Sequence, residues 1–83
     1  MSHDEKLDYM ANQIGKFFAA QGEERAVPAI AEHLRKFWTP RMRATIVARL
    51  QSDAARLDPL PRRAVERLAA QGAAPDSATA AVP

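Results

Sequence analysis

The sequence contains no cysteine. That excludes a disulfide framework, thiolate ligation of a metal or iron–sulfur cluster, and a cysteine nucleophile. Glycine occurs three times, at Gly15, Gly22 and Gly72, and never in a cluster, so no glycine-rich loop can wrap a phosphate. The two histidines, His3 and His33, lack the close spacing of a zinc pair, and neither has a neighbouring nucleophile. β-Branched residues are few and strict apolar–polar alternation dies out within a few positions, which argues against strands. No uncharged run is long enough to span a membrane. The first ten residues, MSHDEKLDYM, are acidic and polar, the wrong character for a secretory signal, so the expected compartment is cytoplasmic.

What remains is an alanine-rich chain of 83 residues, 47% hydrophobic and 27% charged. The apolar fraction is too high for a wholly disordered chain, and the length allows one small domain. The expected architecture is all-α: a helical hairpin, then one long and one short helix. Residues 1–71 form the single helical domain. Residues 72–83, GAAPDSATAAVP, read as a disordered tail.

Periodicity places the helices. Leu7, Met10, Ala11, Ile14, Phe17 and Phe18 form one apolar stripe, predicting a helix from about Asp4 to Gln21. Ser2 and Glu5 have capping-box spacing at its start, and Gly22 suits a left-handed cap at its end. Val27, Ile30, Ala31, Leu34, Phe37 and Trp38 repeat that stripe 20 positions later, predicting a second helix over about 24–38. Within it, Pro28 is tolerable only in the first turn. Thr39-Pro40 reads as an N-cap followed by proline at the first helical position. The third helix is expected to reach Ala55 or Leu57, with Arg41, Thr45, Arg49, Ser52 and Arg56 on its polar side. Asp58-Pro59-Leu60-Pro61 breaks the chain and opens a shorter helix to about Gln71, striped by Val65, Leu68 and Ala69.

Two features stand out against this pattern. Phe17-Phe18 and Phe37-Trp38 are adjacent aromatic pairs, and neighbours on a helix point about 100° apart. A small core cannot bury both members of each pair, so a leftover aromatic patch is expected, of the kind that marks interfaces. Together with the small size, this predicts a partner-dependent subunit. Ala11, Gly15 and Ala19 also form a small-residue row that lets another helix approach.

Charge is unevenly spread. Residues 1–34 carry three basic groups against six carboxylates, and residues 35–71 carry nine against three. All the carboxylates fall on polar faces or helix amino ends, which predicts solvated groups rather than a catalytic pair. Arg41 and Arg43 lie in a first turn, where positive charge opposes the helix dipole by about 0.3–1 kcal/mol each. Arg43 also falls on the apolar side, between Val47 and Leu50. Arg41 and Arg43 predict either an intramolecular pair with Asp8 or Glu32, or an arginine fork aimed at a partner's carboxylate or carbonyl groups. The basic half could suggest nucleic acid. Its arginines, however, are spread around two helices, and the one tryptophan lies beside the core. A membrane surface is disfavoured because the most apolar helix is the acidic one.

The runs Met10-Ala11-Asn12-Gln13-Ile14-Gly15-Lys16-Phe17-Phe18 and His33-Leu34-Arg35-Lys36-Phe37-Trp38-Thr39-Pro40-Arg41-Met42-Arg43 resemble the delta subunit of soluble NAD-dependent formate dehydrogenase. The resemblance covers roughly residues 6–50, and its most specific element is the aromatic-aromatic-x-Pro-Arg-Met run. The family more often has aspartate where this chain has Thr39, and either residue can cap a helix. The resemblance implies a small, non-catalytic subunit of a cytoplasmic complex that oxidises formate to CO2. Such a complex carries a molybdenum or tungsten bis-pterin centre, iron–sulfur clusters, FMN and NAD, and no cofactor, metal or catalytic residue is assigned to this chain. Its expected partners are the catalytic subunit and the other subunits. The candidate partner-binding residues are Met10, Ile14, Gly15, Phe17, Phe18, His33, Phe37, Trp38, Pro40, Arg41, Met42 and Arg43. The expected role is assembly, stability, or insertion and retention of the metal cofactor. A reading from a different class is a free-standing helical regulator, binding nucleic acid or a protein through residues 41–67.

Overall fold

In the computed structural model, which describes residues 2–71, four helices follow one another: α1 His3–Phe18, α2 Glu23–Phe37, α3 Pro40–Gln51 and α4 Pro59–Ala70. Among the described residues there is no strand, and no helix is long and apolar enough to cross a membrane. The chain is all-α. The tail expected over residues 72–83 lies outside the described residues.

Local chemistry explains most boundaries. The Glu5 amide donates to Ser2 Oγ at 3.1 Å and the Ser2 amide donates to Glu5 Oε1 at 2.9 Å, the reciprocal pair of a capping box. The bond from the Ser2 amide holds the Glu5 carboxyl below its ordinary pKa. After Phe18 the chain tightens into a 3-10 turn over Ala19–Gln21. Gly22, at φ +89° and ψ 152°, then donates to the Ala19 carbonyl and accepts the Ala26 amide at 2.8 Å, ending the 3-10 turn and opening α2. The left-handed cap expected directly on α1 is not formed, because the chain tightens after Phe18. Thr39 stands before a proline and is extended, its Oγ1 accepting the Met42 amide at 3.2 Å, with Pro40 opening α3.

Two boundaries differ from the sequence expectation. Pro28 is the sixth residue of α2, beyond the first turn, because the helix already begins at Glu23. It has no amide to offer the Glu24 carbonyl, and the helix persists there because Ala26, Ile30, Ala31 and Leu34 are fully buried. Helix α3 stops at Gln51 instead of reaching Ala55 or Leu57. Asp53 turns to φ +65°, and the Ala54 and Ala55 amides both fall on the Arg49 carbonyl. Helices α3 and α4 are consequently of equal length, 12 residues each.

The early end of α3 has a tertiary cause. Asp8, on α1, is only 4% exposed. Arg49 grips it with two parallel bonds, Nε to Oδ1 at 3.1 Å and Nη2 to Oδ2 at 2.7 Å. The Arg56 amide adds a third at 3.1 Å. One turn along α1, Asn12 donates to the Arg56 carbonyl at 3.0 Å and accepts the Asp58 amide at 2.8 Å. Residues 54–58 thus exchange helical hydrogen bonds for a seat on α1. This corrects two expectations: Asp8 is not a solvated carboxylate, and Arg49 does not face solvent with the polar side of α3. Bonding to Asp8 raises the Arg49 pKa further above its ordinary value.

The seat on α1 positions α4. Pro61 packs onto Gly15, where a Cβ would come within 2.7 Å of Pro61 Cδ. The small-residue row therefore admits the first turn of α4, with Ala11 buried and Ala19 exposed. Pro61, Ala64, Val65 and Leu68 face inward, Ala64 occupying the place expected of Ala69. Helices α1 and α2 do meet, but α2 packs most extensively against α4. Leu7, Ile30, Leu34, Trp38, Ile46, Val65 and Leu68 are the large side chains of the resulting core.

Two stability changes follow, both measurable by chemical denaturation. Asp8→Ala leaves the Arg56 amide without its acceptor and strips the part-buried Arg49 guanidinium of its carboxylate, and should cost about 1–3 kcal/mol. Gly15→Ala gains up to about 1 kcal/mol of helix propensity but drives its Cβ into Pro61, for an expected net loss of about 1 kcal/mol or more.

Candidate partner interface

Four rings make an unbroken series across the first two helices. Phe17 and Phe18 meet edge to face at 5.1 Å between centroids. Phe18 meets His33 on α2 at 6.0 Å, and His33 meets Phe37 at 4.8 Å. Helix geometry sets the order: His33 and Phe37 are one turn apart on a single face of α2, while Phe18 reaches across from the end of α1. The ends of the series lie open. Phe17 is 76% exposed and Phe37 71% exposed.

The adjacent aromatic pairs divide as steric reasoning demands. Trp38 turns inward and is only 5% exposed, and Phe18 packs part-buried against the core. Their neighbours Phe37 and Phe17 are left outside. Of the twelve residues singled out in the sequence, the structure gathers Phe17, Phe18, His33 and Phe37 into this ridge. Met10, Ile14 and Met42 are part-buried against the core. Gly15 is covered by Pro61. Pro40 and Arg41 are exposed at the start of α3. Trp38 and Gly15 are internal, so their effect on any partner would be exerted through the fold.

Arg43 takes a course that neither alternative described. Its Nη1 donates to the Arg35 carbonyl at 3.0 Å and the Trp38 carbonyl at 2.6 Å, closing the carboxyl end of α2. The fork does aim at carbonyls, but of its own chain, where positive charge suits the helix dipole. Pairing with Asp8 or Glu32 does not occur, since Asp8 is held by Arg49 and Glu32 by Arg35 and Lys36. Arg41 projects without an ion pair among the described residues. With Met42, Thr45, His3, Asp4 and Leu7 it lines a hollow between the opening turns of α1 and α3.

Most of the basic half is already engaged. Arg62 pairs with Glu66 and Arg63 with Glu23, besides the contacts of Arg35, Lys36, Arg43 and Arg49. Arg41, Arg43, Arg56 and Arg67 have no carboxylate partner among the described residues, though Arg43 is held by backbone carbonyls. A phosphate-tracking stripe needs cations along one face, and these exposed pairs, Lys36–Glu32 and Arg62–Glu66 at 3.6 Å among them, lower the net charge there without holding the cations tightly. Among the described residues, no three His, Cys, Asp or Glu side chains gather as a metal site would require.

Sequence reasoning missed the Asp8–Arg49–Asn12 cluster. The available signal was slight: Asp8 follows Leu7 and stands one turn before Asn12, at the edge of the apolar stripe.

A family model described as NADH-dependent formate dehydrogenase delta subunit, FdsD, matches residues 6–65 of the chain. The match takes in all of α1, α2 and α3 except the first turn of α1, and about half of α4. No curated protein and no solved structure matches.

Arg43 and the open phenylalanines should separate in a stability measurement on the free chain. Arg43→Ala removes two bonds to carbonyl groups and should lower stability by about 1–3 kcal/mol. Phe17→Ala, at an exposed site, should stay within about 0.5 kcal/mol of the parent.

Proposed function

The chain belongs to the delta-subunit family of NADH-dependent formate dehydrogenase, and from that premise we propose that it is a non-catalytic subunit docking on the catalytic subunit. It acts there in assembly, stability, or insertion and retention of the metal cofactor used in formate oxidation to CO2. The bis-pterin metal centre, iron–sulfur clusters, FMN and NAD belong to the other subunits in this reading. The residues present here do not fit those groups: there is no thiolate, no phosphate loop and no gathered ligand set among the described residues.

The carrying observation is the ring series Phe17–Phe18–His33–Phe37 with its two exposed ends. Burying one phenylalanine side chain is worth about 1.5–3 kcal/mol, and aromatic side chains are enriched in interface cores. Arg41, Pro40 and the hollow beside α1 extend the available surface away from the ridge. The alternative, a free-standing regulator binding nucleic acid through residues 41–67, draws on the basic half, part of whose charge is offset by exposed carboxylates.

The test is production of the complex in its native host with and without this chain. Loss of the chain should lower complex yield, bound metal and formate-dependent NAD reduction together. Unchanged yield, metal content and activity would overturn the proposal.

A further inference from the structure

A Lys-Phe pair followed by a second aromatic occurs twice, and the fold treats both copies alike. Lys16-Phe17-Phe18 ends α1 and Lys36-Phe37-Trp38 ends α2, 20 positions apart. In each, the third aromatic turns toward the core, the middle phenylalanine stays exposed, and the lysine lies on the far side of that phenylalanine. The inward rings consume neither exposed phenylalanine. The surface therefore presents the same Lys–Phe unit twice, joined by Phe18 and His33.

The border of this ridge is positive. The Glu32–Lys36 row runs beside the His33–Phe37 row on α2. Glu32 is the one carboxylate in it, and it is shared between Arg35 at 3.1 Å and Lys36 at 3.6 Å. Lys16 makes no ion pair among the described residues. A second copy of this chain docking ridge to ridge would set lysines and arginine against their own kind. An acidic surface would not meet that repulsion.

We infer that the two Lys–Phe units are paired anchors, each phenylalanine seating in an apolar pocket bordered by a carboxylate on the catalytic subunit of the complex. This rests on the subunit reading above and adds to it the chemistry of the receiving surface. The phenylalanines supply the buried area and the lysines supply registration and encounter rate.

The test titrates the full chain against the complex prepared without it, at several salt concentrations, with folding of each variant checked by circular dichroism. Phe17→Ala with Phe37→Ala should weaken binding about 100-fold and leave the salt dependence unchanged. Lys16→Glu with Lys36→Glu should weaken it about tenfold and flatten the salt dependence, while Lys16→Arg with Lys36→Arg retains it. Charge reversal without effect would overturn the acidic border, and an effect confined to one phenylalanine would overturn the paired anchors. A dimer of the free chain that the double phenylalanine variant dissolves would overturn the choice of occupant. Failure of the parent chain itself to bind would overturn the subunit reading as well, which the other outcomes leave standing.

Discussion

The two-pronged grip of Arg49 on Asp8 decides how this chain closes. A carboxylate only 4% exposed is tolerable only when its lone pairs are taken, and here two guanidinium nitrogens and the Arg56 amide take them. The same contact ends α3, because the amide used by Asp8 comes from the segment that would otherwise have continued the helix. With Asn12 holding the Arg56 carbonyl and the Asp58 amide, the chain is led back across α1. Pro61 then falls onto Gly15, and α4 is delivered to the face of α2. Each step depends on the one before it: remove the ion pair, and residues 54–58 have little reason to leave the helical path.

The candidate interface follows from that closure. Helix α2 packs chiefly against α4, and its Ile30, Leu34 and Trp38 are buried in the common core cluster. What is left on its other flank is the His33–Phe37 row, and α1 contributes Phe17 and Phe18 beside it. Among the described residues, no further helix covers these rings. Their exposure is thus a property of the finished fold, with the polar and charged border needed to keep such a surface in solution.

Legibility in the sequence tracked the span of the interaction concerned. Periodicity marked four helices and the inward stripe of the first two, and the Ser2–Glu5 cap, the Gly22 junction and the Thr39-Pro40 start all appear in the structure. The aromatic surplus was legible as well, because adjacent residues on a helix cannot share one narrow face. Arg43 was visible as an anomaly but not in its role, since nothing in a linear pattern shows that the end of α2 lies within reach of its guanidinium. Asp8 and Arg49 looked like surface residues for the same reason. The family resemblance was also readable, in the runs around Phe17 and Trp38-Thr39-Pro40-Arg41-Met42, and the family match extends it to residue 65.

The sequence by itself determined where helices form and how they begin. Caps, prolines, glycine at positive φ and apolar spacing act within a turn or two, so their partners are always close at hand. The tertiary structure alone decided which polar groups go inside, where α3 stops, and which helix fills the row at Gly15. Those choices pair residues 41 to 48 positions apart, such as Asp8 with Arg49 and with the Arg56 amide. They become favourable only when the closing chain excludes water from both partners at once.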